Sequence, residues 1–146
     1  MKRHLLFDIL IIGAGPAGIV AAIHAAAGGR SLKIGLIDRK KEPGVPVRCG
    51  EAVGLKGFSD FLSIDKTWIK STVVKAKLVS PSGIVITLPG DFDNYIIDRG
   101  KMEKDLVEQA IARGVAFISG ATIVSLRRNG SGRYECQASS GEILQA

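Results

Sequence analysis

The sequence predicts an α/β fold, and three observations carry that prediction. An Ile-rich apolar run, Phe7–Ile12, leads into the glycine-rich turn Gly13-Ala14-Gly15-Pro16-Ala17-Gly18. The turn opens Ala17–Ala27, made mostly of Ala, Ile and Val, which reads as a helix. A second apolar run, Lys33–Ile37, follows and closes on Asp38. Strand, turn, helix and strand in that order form a βαβ unit with parallel strands.

Each element has a local reason. Phe7–Ile12 is short and continuously apolar, the pattern of a strand buried on both faces of a parallel sheet. Pro16 suits the first turn of a helix, where its fixed φ helps and its missing N–H costs nothing. Gly28-Gly29 ends that helix. From Arg39 to Gly57 the chain is irregular, broken by Pro43, Gly44, Pro46, Gly50 and Gly54, and an unstructured connection of that length tends to be functional. The stretches VVKAKLV and IVITL within Thr72–Leu88 read as a hairpin with its turn at Ser80-Pro81-Ser82-Gly83. Arg99–Arg113 reads as an amphipathic helix with Met102, Leu106, Val107, Ala110 and Ile111 on one face, Asp98 as N-cap and Gly114 as stop. Val115–Ile118 is a third short strand returning to the first sheet. Thr122–Arg127, Arg133–Ala138 and Glu142–Leu144 alternate with turns at Asn129-Gly130 and Ser140-Gly141, which predicts a small antiparallel meander. The chain stops inside that last strand, so it is expected to be the front part of a longer protein.

Composition narrows the function classes. One core is expected for 146 residues. The formal charge is +6, but the basic residues stand in small scattered groups without interleaved aromatics, which argues against nucleic-acid binding. Cys49 and Cys136 belong to no CxxC or Cys/His cluster, so no metal site is expected and a reduced, cytoplasmic chain is. The basic start Met1–His4 followed by an apolar run resembles a leader, but Asp8 and the glycines at 13, 15 and 18 interrupt it.

The glycine turn carries the chemistry. G-x-G-x-x-G alone is a weak signal; here it follows a buried strand, opens a helix, and precedes Asp38 by the spacing of about 20 residues expected of a ribose-binding carboxylate. Gly13 permits the tight turn, Gly15 lets the backbone approach a pyrophosphate, and Gly18 lets the helix lie close to the sheet. The helix N-terminus then offers N–H groups and a positive dipole end to the phosphates. Asp38 disfavours a 2′-phosphate, despite the basic Arg39-Lys40-Lys41 beside it. The fingerprint fits FAD and NAD alike.

The chain as a whole resembles the FAD-dependent geranylgeranyl reductases, part of the wider group of flavoproteins with the p-hydroxybenzoate hydroxylase fold. The matching pieces are DILIIGAGPAG, PGVPVRCGE, SPSG and YIIDRGKMEKDLVEQAIARGV, and PVRCGE is the most specific. The resemblance implies a Rossmann-like FAD-binding βαβ sheet with an inserted β-hairpin and a small antiparallel β-meander, apparently truncated. Residues 1–146 would form the FAD-binding domain, with 66–97 a β-rich insertion belonging to the substrate side. It implies the FAD pyrophosphate on Gly13, Gly15, Pro16, Ala17 and Gly18, with Asp38 on the adenosine ribose and Arg39 and Arg48 among the contacts. Cys49, Gly50 and Ala52 would lie along the flavin, Arg99 would reach its phosphate or ribityl region, and Ile123 would border the adenine. The family form RCGEG stands here as RCGEA, and the ribose carboxylate, often Glu, is Asp.

The activity implied is reduction of isolated double bonds of a geranylgeranyl or other polyprenyl substrate by hydride from reduced flavin, with NAD(P)H or a reduced carrier as electron donor. A long apolar substrate is compatible with peripheral membrane contact. A flavin monooxygenase of the same fold and a non-catalytic FAD-binding remnant are the alternatives. From the residues alone, Cys49 is either a catalytic thiol or a small packing residue against a ring, and Glu51 is a cap for the next turn. Trp68 and His24 read as packing or helix residues, and His4 as part of a disordered end.

Overall fold

The computed structural model describes residues 4–29, 31–88 and 94–146. The basic Met1–Arg3 start of the leader-like segment lies outside them. In chain order the elements are β1 (His4–Leu6), β2 (Ile9–Ile12), α1 (Pro16–Ala27), β3 (Ile34–Ile37), β4 (Ala52–Gly54) and α2 (Leu55–Ser59). A 3-10 turn at Lys66–Trp68 precedes β5 (Ile69–Val73), β6 (Ala76–Val79), β7 (Val85–Leu88) and β8 (Asn94–Ile97). Then come α3 (Arg99–Ala112), β9 (Ala116–Ile118), β10 (Ile123–Arg128), β11 (Tyr134–Ala138) and β12 (Ile143–Gln145). The chain divides into two compact units, Met1–Val45 with Glu103–Ala146, and Pro46–Met102.

The first unit holds two sheets. The parallel sheet has the order β2-β3-β9, with Ile9 opposite Ile34 and Gly35 opposite Ala116, so the expected βαβ unit and its returning third strand are both present. All four residues of β3 are buried, as a central parallel strand requires. Helix α1 packs on β2 and β3. A Cβ on Gly18 would collide with the Gly13 carbonyl oxygen, so the close seat of this helix depends on glycine there. Gly114 has φ +87° and follows α3, where a left-handed residue ends the helix at no side-chain cost.

The second sheet of this unit has the order β1-β12-β11-β10. Its last three strands are the predicted meander. Strand β1 is an addition, parallel to β12 with His4 opposite Ile143, so His4 is ordered in a strand rather than part of a disordered end. The predicted single strand Phe7–Ile12 is therefore corrected. The Phe7 N–H donates to the Gln145 carbonyl in one ladder and the Asp8 N–H donates to the Lys33 carbonyl in the other, and the chain changes sheets between them. Nor is β2 buried on both faces, since Ile12 is 53% exposed. Phe7, Ile37, Ala121, Cys136, Ala138 and Leu144 form the core that the two sheets share, with Leu10, Ile118 and Ile123 packed on it.

The second unit is a three-stranded antiparallel sheet, β4-β8-β5, with a separate ribbon β6-β7. Trp68 and Ile97 are its buried anchors, and Phe58 meets Trp68 edge to face with ring centroids 6.4 Å apart. The predicted strand VVKAKLV divides: Val73 ends β5 and Ala76 starts β6, because β5 pairs with β8 while β6 pairs with β7. The SPSG turn forms as predicted, with Gly83 at φ +84° donating its N–H to the Ser80 carbonyl. Part of the predicted irregular stretch is also regular, since β4 and α2 lie in or start within it.

Helix α3 buries Met102, Leu106, Val107 and Ala110, but Ile111, assigned to the same face, is 49% exposed. At the last turn that position has rotated off the buried stripe. Asp98 is the N-cap as predicted, its Oδ1 accepting the Lys101 N–H at 2.9 Å. No described helix is long and apolar enough to cross a membrane.

Candidate functional site

The predicted site residues fall into two groups, one in each unit. The first is built on the glycine turn. Gly13 has φ +109°, a conformation closed to other residues without strain, and its N–H donates to the Ile37 carbonyl at 2.7 Å. Gly15 is the N-cap of α1 in extended conformation, and no side chain caps the helix. A Cβ built on Gly15 would meet nothing within 4 Å. An uncapped helix start beside open space is a donor set suited to an anion, and Pro16 and Ala17 form its first turn.

Asp38 braces this turn. Its Oδ2 accepts the Ala14 N–H at 2.6 Å and its Oδ1 accepts the Lys40 N–H at 2.7 Å. Both carboxylate oxygens keep a further lone pair, so the same group can also accept a ribose hydroxyl. The Asp38 N–H donates to the Ile118 carbonyl and the Asp38 carbonyl accepts the Ala121 N–H, which ties the end of β3 to the loop after β9. Arg39 is exposed next to it. Ile123 is half-buried, opposite Ala138 at the start of β10 and packed on the shared core.

The second group surrounds Cys49. Its thiol is exposed, so it is not part of the buried core. The Glu51 N–H donates to the Cys49 sulfur at 3.4 Å. That N–H, and after it a hydrogen bond from the Arg99 side chain, holds the thiol below its ordinary range by favouring the thiolate. The Arg99 N–H in turn donates to Glu51 Oε1 at 2.8 Å. Asp98, one residue earlier, pairs with Lys70 Nζ at 2.9 Å. Its carboxyl is held below the usual range first by the Lys101 N–H and then by Lys70. Ala52 starts β4 opposite Ile96, while Arg48 and Gly50 are exposed in the loop before it.

The structure thus gathers the glycine turn with Asp38 in one unit, and Cys49, Gly50, Ala52 and Arg99 in the other. The residue that sequence reasoning undervalued is Glu51. It does not cap the next turn; α2 starts after Gly54 with no side-chain cap, and the Glu51 carboxylate holds Arg99, 48 residues away. Its place two residues after the thiol in PVRCGE was the available signal.

Comparison with known proteins adds a family. The family model for pyridine nucleotide-disulphide oxidoreductases matches residues 7–140. A digeranylgeranylglycerophospholipid reductase from Methanococcoides burtonii is 35% identical over 124 residues, which cover 82% of this chain and 30% of that protein. A reductase of the same name from Methanoculleus marisnigri is 38% identical over 116 residues, covering 77% of this chain and 29% of that one. The chain spans about three tenths of the length of these curated relatives. Among solved structures, a geranylgeranyl bacteriochlorophyll reductase-like protein from Thermoplasma acidophilum superposes with a TM-score of 0.80 at 28% identity, covering 97% of this chain and 37% of that protein. The resemblance to geranylgeranyl reductases read from the motifs is borne out on both counts.

Proposed function

Because the chain belongs to the pyridine nucleotide-disulphide oxidoreductase family, we propose that it is the FAD-binding portion of a reductase that saturates isolated double bonds of polyprenyl lipids. The observation that carries the reading is the uncapped start of α1, with open space at Gly15 and Asp38 bracing the turn. A donor set of this kind suits a dinucleotide pyrophosphate, which supports the reading. The reductase names of the relatives support the substrate class.

In this proposal the N–H groups of the first turn of α1 hold the pyrophosphate, with Pro16, Ala17 and Gly18 lining it. Asp38 accepts an adenosine ribose hydroxyl, Arg39 and Arg48 contribute positive charge, and Ile123 borders the adenine. Gly50 and Ala52, which present little side chain, lie along the flavin, with the Cys49 thiol beside it and the Arg99 guanidinium toward its phosphate or ribityl end. Once reduced by the electron donor, bound FAD would supply hydride to one carbon of a double bond that has no activating group, with a proton added at the neighbouring carbon. The residues of the chain orient that cofactor and set the charge around it.

The electron donor is NAD(P)H or a reduced carrier protein. The acidic Asp38 directs any NADP away from the glycine turn, since a 2′-phosphate would meet its carboxylate. An apolar lipid substrate brings the protein to a membrane surface peripherally, from the cytoplasmic side.

Titration of the purified chain with FAD is the first test. Saturable quenching of flavin fluorescence and a yellow protein are expected; a colourless protein with no quenching overturns the cofactor assignment. With reduced flavin and a geranylgeranyl lipid in the holoprotein, a mass gain of two hydrogens per double bond is expected. Substrate-stimulated oxygen consumption with a hydroxylated product would instead assign a monooxygenase.

A further inference from the structure

We propose that Glu51 is a positioning residue, whose side chain holds the Cys49 loop to the first residue of α3 and so keeps thiol and Arg99 guanidinium side by side. The inference rests on the flavin-end reading of Cys49 for its functional meaning, and on the geometry of Glu51 for its substance.

Glu51 is the one non-glycine residue with positive φ among the described residues, at +58°. That region is unfavourable for a residue with a Cβ and survives only where surrounding interactions hold it. A glycine is available next door, yet Gly50 does not take the positive φ, and a Cβ there would meet nothing within 4 Å. The strain falls on the residue whose side chain is engaged.

Three polar groups of Glu51 reach different parts of this unit. Its N–H donates to the Cys49 sulfur at 3.4 Å, its carbonyl accepts the Ile97 N–H at 2.9 Å, and its Oε1 accepts the Arg99 N–H at 2.8 Å. The loop, the end of β8 and the start of α3 therefore meet on one residue. Two charged groups act on the thiol: the Arg99 guanidinium, which favours the thiolate, and the Glu51 carboxylate, which disfavours it. Glu51 thus has two separable effects of opposite sign, a direct repulsion and the placement of a stabilising neighbour.

That opposition makes the test decisive. The rate of Cys49 alkylation by iodoacetamide is measured against pH on the 146-residue chain without FAD, with peptide mass mapping to separate Cys49 from Cys136. Glu51→Gln removes the charge and keeps an oxygen for the Arg99 N–H, so its profile lies at or below the pH of the parent. Glu51→Ala removes both; if placement dominates, its profile moves to higher pH and alkylation at neutral pH slows several-fold. If both variants move to lower pH, or Glu51→Ala leaves the profile unchanged, Glu51 acts as a charge or not at all and the proposal is overturned. Emission from buried Trp68 reports whether this unit has folded. Should Glu51→Ala fail that check, Glu51→Gly, which tolerates the positive φ, is held to the same expectation. The measurement needs no flavin, so loss of the FAD reading and loss of this one are told apart.

Discussion

The Ala14 N–H donates to Asp38 Oδ2 at 2.6 Å, so the carboxylate proposed to bind the ribose also holds the glycine turn in shape. Asp38→Ala removes this contact and the one to the Lys40 N–H. A hydrogen bond to a charged group contributes about 1.5–3 kcal/mol, and partial exposure lowers the sum. A loss of about 1–3 kcal/mol in urea unfolding followed by circular dichroism is expected, with FAD affinity weakened at least tenfold. Unchanged stability would show that the turn does not depend on this brace.

Gly15 and Gly18 separate binding from folding. A Cβ at Gly15 enters open space, so Gly15→Ala should cost no more than about 1 kcal/mol of stability, in line with a lost glycine N-cap. Gly15→Ala and the bulkier Gly15→Val should nonetheless lose FAD binding, because the backbone can no longer approach a pyrophosphate. Gly18→Ala drives a Cβ into the Gly13 carbonyl and should disrupt the βαβ unit itself. A folded Gly15→Val chain that stays yellow would refute the assigned pocket.

Asp98 makes the stability of the second unit sensitive to acid. Its folded pKa is depressed, chiefly by the Lys101 N–H and next by Lys70, so its contribution is present above the unfolded value near ~3.9 and is lost as pH falls through the folded one. The urea midpoint of the parent, read from Trp68, should therefore drop more between neutral and strongly acid pH than that of Asp98→Asn. Parallel curves for the two would remove Asp98 as the source.

Arg99 and Cys49 are linked through the thiolate. Arg99→Ala should move the Cys49 alkylation profile to higher pH, since the guanidinium favours the ionised form, while the exposed thiol remains reachable. Cys136, whose thiol is pushed up by burial, should stay unlabelled in the folded chain. Cys49→Ser should retain FAD and change turnover in the holoprotein; unchanged kinetics would make the thiol a bystander.

Much of the fold was legible in order along the chain. The βαβ unit, the Asp98 cap, the Gly114 stop and the meander each depend on residues within a few positions of one another, and apolar period, glycine and proline report such local preferences directly. The glycine turn and Asp38 were legible for the same reason, because their spacing is imposed by a single strand-helix-strand excursion. Where two partners competed, the pattern was silent. VVKAKLV has strand character throughout, and only the choice of β8 for β5 and β7 for β6 divides it.

The sequence by itself determined the βαβ unit, the long helix after Asp98 and the meander, and it marked the glycine turn between β2 and α1. The tertiary structure alone decided that His4–Leu6 pairs with Ile143–Gln145, and that Glu51 reaches Arg99 from 48 residues away. The physical reason is that a side chain's burial is written in its own chemistry, whereas the identity of a distant partner is set by how the intervening elements pack. Glu51 is the clearest case: its carboxylate announces a charge, and only the fold bends the backbone to φ +58° and gives that charge an N–H to hold.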